Sequence, residues 1–257
     1  MRFLVIGDIV GKPGRKILKE KLGELKANFS PQAVIVNGEN AAGGFGLTPP
    51  VCEEILSLGV DVVTSGNHIW DKKEVIPYLD EQSCLLRPLN YPPTVPGRGT
   101  VVMTTNRIQW AVINLSGRVF MPTLDCPFQR IEQELKNVRE VTPIILIDFH
   151  AEATSEKIAL GRFLDGRVSC VFGTHTHVAT ADSQILPGGT AYITDLGMTG
   201  SQDSVIGMEI EGILHRFLTQ MPTKFKVARG NCWLNGIVLE VDDATGKATD
   251  IIQVSVS

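Results

Sequence analysis

Eight residues in this chain carry side chains suited to holding or moving charge, and each sits directly after a short apolar run. FLVIGD ends in Asp8, AVIVNGEN in Glu39 and Asn40, and VVTSGNH in Asn67 and His68. PIILIDFH ends in His150, and SCVFGTHTH in His175 and His177. Four of the five histidines therefore stand at such places; the fifth, His215, lies on a helical stripe and reads as core or surface. Carboxylate, amide oxygen and imidazole together suit Fe, Mn, Zn or Co, whereas an all-oxygen set would suit Mg or Ca. Seven ligands exceed the need of one open site. A two-metal site needs a bridging carboxylate and about three further ligands per ion. Glu39 is the best placed bridge, the pair His175 and His177 can serve two ions, and Asn67 offers a neutral oxygen. His68, next to Asn67, would point elsewhere and is free to act as an acid.

Each of these residues also has a plainer explanation. Asp8 in GDIVG fits a turn, and Asn37-Gly38-Glu39-Asn40 fits a strand exit. Asn67-His68 could cap a helix, and His150 alone could be a satisfied core histidine. Alternation along a strand also yields an HxH. Asp148 and Asp195 are read as structural or as supports behind ligands, with neither preferred. The joint placement at five separate strand ends is what turn chemistry alone does not explain, because ligands in open α/β sheets bind beyond the carboxyl ends of strands.

Those ends need strands, and runs rich in Val and Ile supply them. Phe3–Ile6, Ala33–Val36, Val60–Thr64, Pro143–Ile147, Ser169–Phe172 and Ala191–Thr194 read as buried strands. Val101–Thr104, Gln109–Asn114, Gly236–Val241 and Ile251–Val256 alternate, as strands with one wetter face do. Helices are expected over Arg15–Ala27, from Thr48-Pro49-Pro50 to Gly59, and over Asp71–Asp80, Gln129–Arg139, Ser155–Leu164 and Val205–Thr219. The alternation predicts βαβ units and a largely parallel sheet. Residues Arg87–Gly99 hold four prolines and two glycines, and read as a loop or flap. No repeat or linker divides the chain, so one domain is expected over residues 1–257.

The 257 residues carry a net charge of -4, with 43% apolar and 20% charged residues. That balance opposes a broad nucleic-acid face. No apolar run reaches the roughly 18 residues needed to span a bilayer, so no membrane partner is expected. The five cysteines are an odd number without a CxxC, as in a reduced, cytoplasmic protein. AAGGFG lacks the Lys-Ser/Thr of a phosphate-binding loop, and no G-x-S-x-G occurs. A homo-oligomer is compatible with the composition.

The order GD (Asp8), GEN (Glu39, Asn40), GNH (Asn67, His68), His150 and GTHTH (His175, His177) resembles the calcineurin-like metallophosphoesterase superfamily. Its pattern is D-x-H, G-D-x-x-D, G-N-H-[DE], H and G-H-x-H. Three positions depart from it. Val10 replaces a histidine, Glu39 replaces the bridging aspartate, and His68 is followed by Ile69. These departures, with GDIVGKPGR, NGENAAGGFG, SGNHIWDKKE, DFHAEATSEK and TDLGMTG, resemble the YmdB-type phosphodiesterase branch over the whole chain.

The resemblance implies two packed β-sheets flanked by helices, an α/β/β/α sandwich. It implies one metal on Asp8, Asn40 and His177, another on Asn67, His150 and His175, and Glu39 as bridge. The ions would be most like Fe or Mn. The implied activity is hydrolysis of a 2′,3′- or 3′,5′-cyclic nucleotide by a hydroxide bridging the metals, with Glu39 and His68 as catalytic residues and His68 protonating the leaving alkoxide. Two alternatives remain open here: a phosphomonoesterase or protein phosphatase on the same metals, and a nucleotide-responsive regulator with little turnover.

Overall fold

The computed structural model describes residues 1–257. In chain order the elements begin β1 (Arg2–Ile6), α1 (Gly11–Phe29), β2 (Ala33–Asn37), α2 (Pro49–Ser57) and β3 (Val62–Thr64). A 3-10 turn at Asn67–Trp70 precedes α3 (Val75–Glu81), β4 (Thr100–Thr105), β5 (Ile108–Ser116) and α4 (Pro127–Val141). Then come β6 (Ile145–His150), α5 (Thr154–Phe163), β7 (Cys170–Thr174), β8 (Gln184–Ile185), β9 (Ala191–Ile193) and β10 (Gly200–Ser201). The chain closes with α6 (Ile210–Thr219), β11 (Cys232–Val241) and β12 (Ala248–Val256).

Two six-stranded sheets result. One runs β10-β11-β1-β2-β3 with β12 on β11, and the other runs β4-β5-β6-β7-β9-β8. Period-2 alternation explains how they stack. In β1, Phe3 and Val5 face the second sheet, where Trp110, Val112, Leu146 and Phe172 meet them. Leu4 and Ile6 face outward onto Ile17, Leu18, Leu22 and Leu25 of α1. Ile145 and Ile147 likewise face outward onto Leu160 and Leu164 of the α5 region. The α/β/β/α sandwich is as expected.

The largely parallel sheet is not. Five strand pairs are parallel and five antiparallel. Parallel centres (β1–β2–β3 and β5–β6–β7–β9) carry antiparallel edges, because β11 and β12 return as a hairpin without a crossover helix. β3 is shorter than read, since the Asp61 side chain takes the Val34 N–H at 2.8 Å. β6 runs three residues further than read, so His150 is the last residue of the strand itself. Asp71 begins no helix: α3 starts at Val75. α6 starts at Ile210, after Gly207 turns the chain with φ +95°. Thr48 takes the cap position of α2 without a side-chain bond. Pro49 and Pro50 leave few N–H groups in that first turn to receive one.

The Pro-rich stretch is an irregular loop tied at its base. Arg87 N–H donates to the Arg98 carbonyl at 3.0 Å, and its buried guanidinium donates to Pro88 O at 2.9 Å and Pro96 O at 3.2 Å. No helix is long and apolar enough to cross a membrane. All five cysteines are free thiols.

Candidate metal centre

The carboxyl ends of both parallel centres lie side by side. β1, β2 and β3 deliver Asp8, Glu39 with Asn40, and Asn67 with His68; β6 and β7 deliver His150, and His175 with His177. Around His150 Nε2 the contacts are too many for hydrogen bonding. Glu39 Oε2 lies 2.5 Å away, His175 Nδ1 3.0 Å and Asn67 Oδ1 3.2 Å. One ring nitrogen cannot satisfy three such neighbours. Beside this group, His177 Nε2 lies 3.0 Å from the Asn40 amide nitrogen and 3.8 Å from Asp8 Oδ1. An amide reverses its O and N by a half-turn, so a cation there would take the Asn40 oxygen.

The outer ring nitrogens fix the tautomers. His150 Nδ1 donates to Thr174 Oγ1 at 2.9 Å, because that hydroxyl itself donates to Asp148 Oδ1 at 2.7 Å. His177 Nδ1 donates to the Ile206 carbonyl at 2.9 Å. His175 Nε2 lies 3.0 Å from the Glu152 carboxylate. Each ring thus spends its proton outward and aims a lone pair inward, the usual condition of metal-bound histidine. Two carboxylate oxygens, Asp8 Oδ1 and Glu39 Oε2, are buried without any hydrogen-bond partner. Buried acceptors of this kind are costly unless a cation meets them. Three inward lone pairs and two orphaned carboxylate oxygens fit a metal centre, and Glu39, His150 and His175 have ligand atoms all within 4.8 Å of one another.

Electrostatics agree. Burial raises the Glu39 carboxyl, but positive charge at His150 and the bond from the His68 amide bring it down to about 2. Without a metal that charge comes from a proton, since Glu39 raises the His150 imidazole in turn, and a cation would take that proton's place. Burial and the neighbouring His150 hold the His175 imidazole down to about 3, so it is a neutral donor. Burial pushes the Asp8 carboxyl up despite His177 and His150. Its fully buried carboxylate has too little compensating charge from the protein alone.

Backbone geometry is bent to this purpose. Gly66 precedes Asn67 because a Cβ there would stand 2.2 Å from His150 Cδ2 and 2.5 Å from Glu39 Oε2. His175 and His177 both adopt left-handed backbone, with φ of +94° and +67°. Asp8 Oδ2 accepts from the His175 N–H at 3.2 Å. Asp195 accepts from Thr176 N–H at 3.2 Å and Thr176 Oγ1 at 2.7 Å, and Lys157 Nζ meets it at 2.7 Å. Lys157 and Asp195 are both buried.

His68 stands apart from the ligand cluster, at the mouth. Its amide donates to Glu39 Oε1 at 2.5 Å, and its Nδ1 lies 2.9 Å from Asp71 Oδ2. The 3-10 turn brings Asp71 back at i+3, so the acid missing directly after His68 is replaced three residues later. Phe45 meets the His68 ring edge-on at 5.1 Å. The mouth is a cavity of about 270 Å³ lined by Asn40, Phe45, His68, Glu152, His175 and His177, among others.

All eight residues singled out in the sequence are brought together here. Val10 is not in the site. It packs with Met198, Met208 and Ile213. His215 is exposed, and its ring pairs with Thr223. The supporting residues were not found in the sequence: Thr174, Glu152, Lys157, Thr176, Thr64 and Asn37. Alternation could have found some of them. Asn37, Thr64, Asp148, His150 and Thr174 all fall on inward-facing positions of their strands. Asn37 and Thr64 donate to Asp148 Oδ2 at 3.0 and 2.5 Å. Asp148 and Asp195 both stand behind the cluster, Asp148 through Thr174 and Asp195 through Thr176.

Comparison with known proteins gives concordant results. The family model described as YmdB-like protein matches residues 4–254. A Bacillus subtilis (strain 168) protein named 2′,3′-cyclic-nucleotide 2′-phosphodiesterase is 50% identical, over 100% of this chain and 97% of its own. The crystal structure of a novel phosphatase from Mycoplasma pneumoniae matches with TM-score 0.94 and 36% identity, over 100% of this chain and 93% of that one. A hypothetical protein from Thermus thermophilus matches with TM-score 0.93 and 42% identity, over 99% of this chain and 98% of that one.

Proposed function

The chain belongs to the YmdB-like family, and we propose that it is a dinuclear metal-dependent phosphodiesterase acting on cyclic nucleotides, 2′,3′-cyclic ones foremost. The inward lone pairs of His150, His175 and His177 around orphaned oxygens of Asp8 and Glu39 are the observation that carries this reading. Asp8, Asn40 and His177 would hold one ion, Asn67, His150 and His175 the other, and Glu39 would bridge. Fe and Mn suit this mixed oxygen and imidazole set. When bound, such ions neutralise phosphate charge and make water nucleophilic near neutral pH. The name of the Bacillus subtilis relative supports the choice of substrate.

The chain's own groups do the remaining work. Thr174, Ile206 and Glu152 keep the three imidazoles in one tautomer. Asp71 holds His68 by Nδ1, leaving Nε2 facing the mouth as the atom that gives a proton to the departing ribose oxygen. Phe45 limits the rotation of that ring and shields it on one side. Glu39 fixes the start of the same turn through the His68 amide, so acid and ligand cluster move together.

Side-by-side rates on 2′,3′-cyclic AMP, 3′,5′-cyclic AMP, bis(p-nitrophenyl) phosphate and p-nitrophenyl phosphate test this. The 2′,3′-cyclic diester should lead. A dominant rate on the monoester p-nitrophenyl phosphate would replace the reading with that of a phosphomonoesterase. The Mycoplasma pneumoniae structure described as a phosphatase gives that second reading its weight.

A further inference from the structure

Beside the 270 Å³ mouth lies a larger open cleft of about 740 Å³, between α1 and the segment before β11. Its wall carries Lys12, Lys16, Lys226 and Arg229 against two acids, Glu20 and Glu209. Lys16 lies 3.7 Å from Glu20; the other three cations have no carboxylate partner. Such a local excess is notable in a chain of net charge -4. The first turn of the 19-residue α1, which has no side-chain cap, places Lys12 and Pro13 on the same wall and adds helix-dipole potential of the same sign.

The cleft adjoins the mouth across the apolar contact of Met208 and Val227 over Gly44. Gly43 lines the cleft and Gly44 the mouth; Glu209 lines the cleft and Met208 the mouth; Val227 lines the cleft and Phe225 the mouth. A neutral depression lined by Gln202, Trp233 and Asn235 links the two. It shares His177 with the mouth and Asn231 with the cleft. The mouth alone is small for a whole nucleotide, since ligand pockets usually measure about 300–1,000 Å³. A substrate longer than one nucleotide would extend into its neighbours. Cations without partners beside a neutral face with an aromatic ring suit a short single strand of nucleic acid.

We propose that this cleft is a phosphate-backbone subsite, and that the substrate class is a short oligoribonucleotide ending in a 2′,3′-cyclic phosphate. This rests on the phosphodiesterase reading above and extends it. The terminal cyclic phosphate sits at the metal centre, and the preceding phosphates lie over Lys226, Arg229 and Lys12. The chemistry is unchanged by the longer substrate. Water oxygen bonds to phosphorus, one ring P–O bond breaks, and the released ribose oxygen takes a proton, leaving a terminal phosphomonoester. Such cyclic ends are what strand cleavage by a ribose 2′-hydroxyl leaves, so that class of reaction would supply the substrate. A cleft of this size is local, and is consistent with the absence of a broad basic face.

The experiment uses the metal-loaded full chain with 2′,3′-cyclic AMP and a triadenylate bearing a 2′,3′-cyclic phosphate. The trinucleotide should have a kcat/KM about tenfold higher or more. Combined Lys12→Ala, Lys226→Ala and Arg229→Ala changes should remove that advantage while leaving the mononucleotide within about twofold. Between about 50 and 200 mM salt, two or three phosphate contacts on a single strand should cost the trinucleotide about tenfold and the mononucleotide little. Equal kcat/KM for both substrates, or equal losses in the triple variant, would overturn the proposal. Anisotropy of a labelled triadenylate 3′-phosphate, wild type against triple variant, reads the cleft without turnover. If neither substrate is cleaved, the phosphodiesterase reading fails, and the anisotropy still decides the cleft. Equal displacement of the label by a glutamate peptide of the same charge would assign the cleft to an acidic protein segment and overturn the RNA assignment.

Discussion

At the scale of single residues, the proposed division of labour between Glu39 and His68 is the sharpest point. Glu39 Oε2 is buried, orphaned and surrounded by imidazoles. Glu39→Gln removes the charge and should lower bound metal and hydrolysis together. His68 touches no ligand atom except through its own amide, so His68→Ala should keep its metal. That variant should lose about 10²–10⁴ in kcat, the range of a general acid. Retained turnover by His68→Ala on a diester with a poor leaving group would remove the acid role. The eight site residues were legible because each ends an apolar run. Their partners were not. Thr174, Glu152 and the Ile206 carbonyl act through a hydroxyl, an exposed carboxylate and a backbone oxygen, and nothing in spacing distinguishes these from ordinary residues.

At the scale of elements, the turn after β7 is under the most constraint. Two residues without glycine's freedom hold left-handed backbone, which costs about 1–3 kcal/mol each unless surroundings enforce it. The enforcing groups are Asp8 and the Asp195–Lys157 pair. Lys157→Met leaves Asp195 charged and buried among neutral donors, a change that typically costs about 3–5 kcal/mol. Denaturant unfolding of the metal-free variant should show that loss, and metal titration should show weaker binding as His175 and His177 lose their fixed turn. Gly66→Ala should be as severe for metal content, because its Cβ meets ligand atoms directly. Unchanged metal affinity in Gly66→Ala would contradict the packing described. Most strands were legible from β-branched runs, whereas pairing direction was not. Alternating helices and strands imply parallel neighbours, but β11 joins β1 antiparallel from far along the chain. Local pattern carries no record of that return.

At the scale of the whole molecule, neither sheet makes the site alone. Asp8, Glu39, Asn40 and Asn67 come from one sheet, and His150, His175 and His177 from the other. Metal should therefore join the two halves and stabilise the fold. With free metal at about 100 times its Kd, linkage gives about 2.7 kcal/mol, which a melting scan with and without chelator should register as a higher Tm for the loaded protein. The most direct test of the central claim is elemental analysis of the purified chain alongside its hydrolysis of 2′,3′-cyclic AMP. The account predicts two ions per chain, loss of activity on their removal, and recovery on adding Mn or Fe. Full hydrolysis by metal-free protein would contradict it.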